Sequence, residues 1–481
     1  MQFNSYFFIM AFLPAIILIY FLSNKLHILA GKIVLILGSL IFYAYSDKKM
    51  LFFLCASIAI NYIFTLLIQK MKWKKIFLSI PIIINAGLLL YFKYLNFVIE
   101  NINSLLKTNY ILKDLILPIG ISFFTFQQIA YLVSVYRKEL KNNYFVDYLT
   151  YILYFPKLLM GPLAEPTDFI EQINNPDTKK INWDHIAEGL KIFSFGLFKK
   201  VLLADTFANA VYWGYTYIDT ATSIDWFLIM LSYTFEIYFD FSGYSDMAVG
   251  ISRMLNITLP MNFDSPYKAI SIRDFWKRWH ISLTKFLTKY IYIPLGGNRK
   301  GKVLTYINTM IVFLVSGIWH GANWTFILWG ALHGTLSILD RIFENTEKKL
   351  IEPVRWFFTF TGVNLLWLLF SASSVKQWIS ILKTMFSFQN TTISEGLISV
   401  FKISESALIN QVFHLDGLNA NVRGLWLLLF FIVAYGICLI PENNYKKLSK
   451  LSATTMILAS IACVWGILCL SMESVFVYFN F

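Results

Sequence analysis

Three histidines stand where an imidazole could do chemistry. His320 lies in the apolar, aromatic stretch Ser316 to Gly330 (SGIWHGANWTFILWG), between Gly317 and Gly321. Glycines on both sides remove side-chain bulk and let a ligand or another backbone come close. A histidine kept neutral by burial is a competent general base near pH 7. Asn323, at i+3, would share its helix face as a hydrogen-bond partner. The competing reading is a satisfied core histidine. His280 ends the RWH run of a basic, Trp-rich segment, and His333 follows in the next apolar stretch. His27, His185 and His414 fall in loops or polar stretches and read as solvated.

Carboxylates form the second group. Glu236, Asp240 and Asp246 lie inside Ser232 to Gly250 (SYTFEIYFDFSGYSDMAVG), with Glu236 and Asp240 four apart on one helix face. Two readings stay open: a pair that binds a cation or orients a histidine, or structural ion pairs with Arg253, Arg273 or Arg278. No GxSxG, Cys-His nucleophile, P-loop or HExxH pattern occurs, so hydrolase, ATPase and zincin chemistry are unsupported. Cys55, Cys438, Cys463 and Cys469 sit in apolar segments without metal-like spacing, and no metal site is expected.

The elements that must position these residues are membrane helices. In 481 residues the hydrophobic share is 57% and the charged share only 14%, too few charges to cover a soluble protein of this size. Apolar windows of about 17 to 25 residues, enough to cross a hydrocarbon core of about 30 Å, recur from end to end. They predict about 11 crossings with further short elements. The net charge of +13 resides in short loops, a topological pattern rather than a nucleic-acid footprint. The run Lys70, Lys72, Lys74, Lys75, and Arg137, Lys138 and Lys141 after the fifth span, place these loops in the cytoplasm and the N-terminus outside. The first apolar run lacks a basic leader and a cleavage site, so it is expected to stay as a span.

Three segments depart from simple spanning. Phe155 to Pro166 (FPKLLMGPLAEP) is broken by prolines and glycine, which predicts a bent or re-entrant element, since broken backbone at membrane depth must be buried in protein or line a cavity. Residues 180–205 carry Lys191, Lys199 and Lys200 among Phe and Leu and read as an amphipathic helix at the interface. Arg273 to Pro294 reads the same way. Phe275, Trp279, Leu283, Phe286 and Tyr290 form one stripe, and Trp276 and Trp279 are expected at headgroup level. There is no internal repeat, which leaves an inverted-repeat transporter without support.

The run YFDFSGYSDMAVGISRMLNITLPMNFDSPYKAISIRDFWKRWHISLTKFLTKYIYIPLGGNRKGK, followed by SGIWHGANWTFILWGALHG, resembles the membrane-bound O-acyltransferase family, in its branch of alginate and peptidoglycan O-acetylation membrane proteins. LPIGISFFTFQQIAYLVSVYR, FPKLLMGP and SLIFYAYSDKKM extend the likeness over about the first 340 residues. Glu165 and Ser134 depart from relatives that carry a basic and an acidic residue there.

The resemblance implies an all-α, polytopic membrane enzyme, with re-entrant and interfacial helices around a central tunnel. Its single membrane domain would comprise N-terminal spans (1–145), a catalytic core (146–340) and C-terminal spans (341–481). It would sit in the inner membrane of a bacterium and move an acetyl group from a cytoplasmic thioester, acetyl-coenzyme A as substrate with no bound cofactor, toward an extracytoplasmic polysaccharide. The family's WHG histidine falls on His320 and its RWH histidine on His280, with Asp274, Trp276 and Arg278 in the surrounding pattern.

Together these readings make His320 the base that takes a hydroxyl proton, with Asn323 or His280 stabilising the developing charge. Trp276 and Trp319 would contact substrate, while Lys277, Arg278, Arg299 and Lys300 would hold a phosphorylated donor or simply anchor the chain. Members of the branch it resembles usually work with a separate extracytoplasmic acetyltransferase, and no polar stretch here is long enough to be one, so the resemblance implies such a partner. The lysine-, isoleucine- and asparagine-rich composition leans toward peptidoglycan over an alginate-like glycan. D-alanyl transfer to teichoic acid, or transport without chemistry, are the alternatives.

Overall fold

The computed structural model describes residues 1–140, 142–347, 349–402, 419–470 and 476, and every regular element among them is helical. His414 and Lys141 lie outside the described residues. The helices run α1 (Leu13–Leu26), preceded by a π turn at Phe8–Phe12, α2 (Ile28–Ser46), α3 (Leu51–Lys70), α4 (Lys74–Leu106), α5 (Ile121–Tyr136), α6 (Phe145–Leu153), α7 (Phe155–Leu158), α8 (Pro166–Asn174), α9 (Trp183–Phe198) and α10 (Asp205–Thr216). There follow α11 (Ser223–Met254), α12 (Ile272–Arg278), α13 (Ile281–Leu287), α14 (Lys302–His320), α15 (Trp324–Ile342), α16 (Glu344–Glu347), α17 (Glu352–Ser371), α18 (Val375–Met385), α19 (Glu395–Val400), α20 (Asn419–Leu439) and α21 (Ala453–Leu468).

Among the described residues, six segments are long and apolar enough to cross a membrane: Phe8–Leu26, Ile28–Ser46, Leu51–Lys70, Lys74–Leu106, Lys302–His320 and Glu352–Ser371. This is a multi-pass membrane protein. The other segments expected to cross are present as helices but are either shorter, as at Ile121–Tyr136 and Ala453–Leu468, or polar within, as in α11.

The core forms around α11. A capping box, Thr222 with Asp225, starts this helix, and every residue from Ser232 to Ser252 is buried. α9 lies antiparallel against it at close range. Glycines seven apart on each helix face one another, so that a Cβ on Gly189 would come 2.5 Å from the Gly250 carbonyl oxygen and one on Gly196 would come 2.6 Å from that of Gly243. Small residues at such a crossing let backbones approach where lipid offers no hydrophobic drive.

This packing corrects the interfacial reading of residues 180–205. Lys199 pairs with Asp246 at 2.7 Å, and Lys200 with Asp240 at 2.8 Å and Asp205 at 2.9 Å. Lys191 donates to the carbonyls of Lys447, Leu448 and Lys450 at 2.9, 2.8 and 2.8 Å. Amphipathic spacing cannot tell a water-facing lysine from one facing buried carboxylates. Asp240 and Asp246 are thus in structural ion pairs, but with lysines. Arg253 pairs instead with Glu188, Arg273 with Asp340 and Arg278 with Asp274.

The bent element is where the sequence puts it. α6 breaks at Tyr154, α7 lasts four residues, and every residue from Tyr151 to Pro162 is buried. Residues 273–294 differ from expectation. The single stripe is cut between α12 and α13 at His280, and Trp279 is 1% exposed, in the core rather than at headgroup level.

Candidate active site

α14 ends on His320. Gly321 is extended and Asn323 caps α15 by accepting the Thr325 N–H, so the chain reverses within three residues and lays α15 antiparallel on α14. Gly317 and Gly330 make that hairpin possible, because a Cβ on Gly330 would come 2.5 Å from the Phe313 carbonyl oxygen. The helix does not continue, so Asn323 is not one turn beyond His320. Its amide is engaged at both ends, its Nδ2 donating to the Ser373 carbonyl at 2.8 Å. The expectation that Asn323 partners His320 fails for this reason.

His320 is buried in an aromatic box. The ring centroids of Trp319, Phe370 and Trp329 lie 4.8, 5.2 and 5.3 Å from its own. The two carbonyls at its helix end, those of Trp319 and His320, accept from the Lys93 ammonium of α4 at 2.6 and 2.8 Å. The last carbonyls of a helix have no partner within it, and a cation there meets both that need and the helix dipole.

Two cavities meet at His320. One of about 280 Å³ lies between α12–α13 and α14–α15, includes Trp276, His280 and Ser316, and has Arg273, Lys277 and Arg341 in its wall. The other, of about 80 Å³, is lined by Lys93, Trp319 and the 117–123 segment. His320 lines both, and among the described residues no other does.

His280 is held in an unusual way. It takes a left-handed conformation, φ 43° and ψ 54°, which costs a non-glycine residue energy and persists only where the surroundings fix it. It is 1% exposed, with Nδ1 at 3.0 Å from Asn262 Oδ1 and its ring edge-on to Phe241. Its ring centroid lies 6.3 Å from that of Trp319, so the two histidines flank this indole.

The remaining expected site residues divide. Trp276 lines the larger cavity and donates its Nε1–H to His333 Nδ1 at 3.3 Å. Trp319 lines the smaller cavity, is stacked on Phe126, and has a buried Nε1–H with no acceptor among the described residues. Lys277 is in the cavity wall. Arg278 is not: it turns away to Asp274 at 2.9 Å and to the Asp264 carbonyl, and Arg299 and Lys300 also lie outside the wall. The cations that do face the cavity are Arg273, Lys277 and Arg341. Burial would lower the Arg273 guanidinium, but Glu344 and Asp340 outweigh it and raise it further, which fixes its charge.

Sequence reasoning passes over Lys93, Asn262 and Phe370. Lys93 carries a readable signal, an ionisable group within an apolar run. Asn262 and Phe370 carry none, since their importance lies in tertiary contacts.

Residues 58–376 match the family model described as MBOAT, membrane-bound O-acyltransferase family, a span that contains Lys93, both flanking histidines and Phe370. The chain is 35% identical to the peptidoglycan O-acetyltransferase of Helicobacter pylori, covering 100% of this chain and 97% of that protein. It is 36% identical to the probable alginate O-acetylase of Azotobacter vinelandii, over 82% and 80% of the two chains. With the teichoic acid D-alanyltransferase of Streptococcus thermophilus the identity is 26%, over 54% of this chain and 70% of that one. This helical membrane protein, which matches the family model over most of its length and the Helicobacter enzyme from end to end, is an acyltransferase and belongs to the membrane-bound O-acyltransferase family.

Proposed function

We propose that this enzyme moves an acetyl group from acetyl-coenzyme A, on the cytoplasmic side of a bacterial inner membrane, to an extracytoplasmic cell-surface polysaccharide. The observation that carries the reading is that His320, alone among the described residues, lines both cavities. The larger cavity, with Lys277 and Arg341 in its wall, suits a phosphorylated thioester, because neighbouring cations concentrate an anion; Arg273 is occupied by Asp340 and Glu344. The smaller cavity then receives the hydroxyl. Its oxygen attacks the thioester carbonyl while His320 takes its proton. Collapse of the tetrahedral intermediate forms the ester and expels the thiolate, which recovers the proton. Asn323, its amide engaged at both ends, does not fill the role of donor to the developing oxyanion.

Peptidoglycan is the favoured acceptor, since the Helicobacter relative of that name covers the whole chain, with an alginate-like glycan as the next. A separate extracytoplasmic acetyltransferase completes transfer to the glycan. The basic loop Lys70–Lys75 faces the cytoplasm and the N-terminus lies outside. D-alanyl transfer has weaker support, from a relative that covers about half of the chain.

The test is transfer from [¹⁴C]acetyl-coenzyme A by the protein in nanodiscs, scoring label on protein and in released ester, with His320→Gln alongside. The expected result is label with the native protein and a loss of at least about 10³-fold in the folded variant. Equal labelling by the two would overturn the role of His320.

A further inference from the structure

The environment of Asn262 determines which nitrogen of His280 carries its proton. Asn262 is 3% exposed, and its Oδ1 lies 3.3 Å from the Ser282 backbone N, 2.9 Å from Ser282 Oγ and 3.0 Å from His280 Nδ1. A backbone N–H can only donate, so the atom facing it is the amide oxygen; a flipped amide would set N–H against N–H. Ser282 Oγ accepts from the Leu163 N–H at 3.1 Å and therefore has its own proton to give to Asn262. The opposite end of the amide, Nδ2, lies 3.4 Å from Ser245 Oγ. With Oδ1 an acceptor, His280 Nδ1 must be the donor. A neutral imidazole protonated at Nδ1 has only a lone pair at Nε2, and that buried atom has no partner among the described residues. His280 lines the larger cavity and not the smaller one.

We infer that Asn262 is a positioning residue, which locks His280 as the Nδ1–H tautomer so that Nε2 accepts a hydrogen bond from the ligand in the cation-walled cavity. His280 is thus an acceptor and not an oxyanion donor. On the reading of that cavity as the thioester site, on which this part of the inference rests, a pantetheine donor has a fitting group: an amide N–H three bonds from the thioester sulfur. A hydrogen bond there sets the carbonyl against His320. The left-handed backbone at residue 280 fits the same purpose, because it turns the ring toward Asn262 at the break between two helices.

The test is ¹⁵N NMR of histidine-labelled protein in nanodiscs, with the resonances of His280 assigned by their loss in His280→Gln. The native protein should show His280 protonated at Nδ1. Asn262→Leu, close in volume and without an acceptor, should move it to the Nε2–H form, and Asn262→Asp should keep Nδ1–H. Protonation at Nε2 in the native protein, or no change in Asn262→Leu with a native-like melt, would overturn the inference. In the acetyl-transfer assay, Asn262→Leu should lower kcat/KM for acetyl-coenzyme A about tenfold or more and Asn262→Asp should recover most of it. If no variant or native protein transfers acetyl, the function reading fails while the tautomer result stands by itself. If transfer occurs but is equal in all three, the positioning role fails.

Discussion

Lys93→Met removes the ammonium from the helix end that bears His320 and keeps the apolar stem. Two hydrogen bonds are lost, at 2.6 and 2.8 Å, both to carbonyls with no partner inside α14. Hydrogen bonds to charged groups are worth about 1.5–3 kcal/mol each. The pair shares one donor and its site is only partly enclosed, so the combined loss should be about 2–3 kcal/mol rather than the sum. The last turn then frays, and because its carbonyls are those of Trp319 and His320, the loss falls on catalytic geometry. If it is felt wholly in the transition state, 2–3 kcal/mol corresponds to a fall in kcat of about 30- to 150-fold. Lys93→Arg can reach both carbonyls with its fork and should recover much of the activity. The assay is kcat at saturating acetyl donor, with the melting temperature measured on the same nanodisc preparation. A Lys93→Met enzyme within twofold of native kcat would refute the idea that this ammonium holds His320 in place. So would a large fall in melting temperature with kcat per folded molecule unchanged.

Three further outcomes are expected. Lys277→Gln combined with Arg341→Gln should raise KM for acetyl-coenzyme A about tenfold while kcat changes little, with the gap to native shrinking at high salt; a salt-independent defect would remove the electrostatic explanation. Asp240→Asn removes the carboxylate 2.8 Å from the buried Lys200 ammonium and should destabilise by about 3 kcal/mol, whereas Asp240→Leu with Lys200→Met should melt closer to native, because a buried pair is often replaceable by apolar groups. Gly250→Ala would press a Cβ to 2.6 Å from the Gly189 carbonyl oxygen and should cost about 1–3 kcal/mol in a melt, with Gly362→Ala, where a Cβ meets open space, as the neutral control.

How much was legible in the sequence depended on what each residue's role rests on. His320 and His280 stand in local motifs, and the structure places both at helix ends in the wall of the larger cavity; the prolines and glycine of residues 155–162 announce broken backbone wherever they occur, and α7 lasts four residues there. Asn323 was misplaced because i+3 proximity assumes a continuous helix, and α14 stops at His320. Lys191, Lys199 and Lys200 were misread as interfacial because the carboxylates and carbonyls that receive them come from α11 and from residues 447–450. Arg278 follows the family pattern but is used by Asp274, as Arg273 is by Asp340 and Glu344, while Arg341 faces the cavity from a position that no local motif marks. Beyond residue 340, Phe370 of α17 packs its ring 5.2 Å from that of His320.

The two histidines occupy matching structural positions, and this explains why their supports are where they are. His320 is the last residue of α14, and His280 immediately precedes the first residue of α13. In mid-helix each ring would be flanked by neighbours on adjacent turns, whereas at a terminus one side is open to a cavity. A terminus buried in a membrane protein leaves backbone groups that no water can satisfy. Here the residues that meet this need are the ones that hold the rings. Lys93 takes the final carbonyls of α14 beside His320, and Asn262 takes both the Ile281 N–H on its backbone oxygen, at 2.9 Å, and the His280 ring on its side chain. Satisfying the broken backbone and aiming the imidazole are therefore one structural task, and a substitution at either support disturbs both.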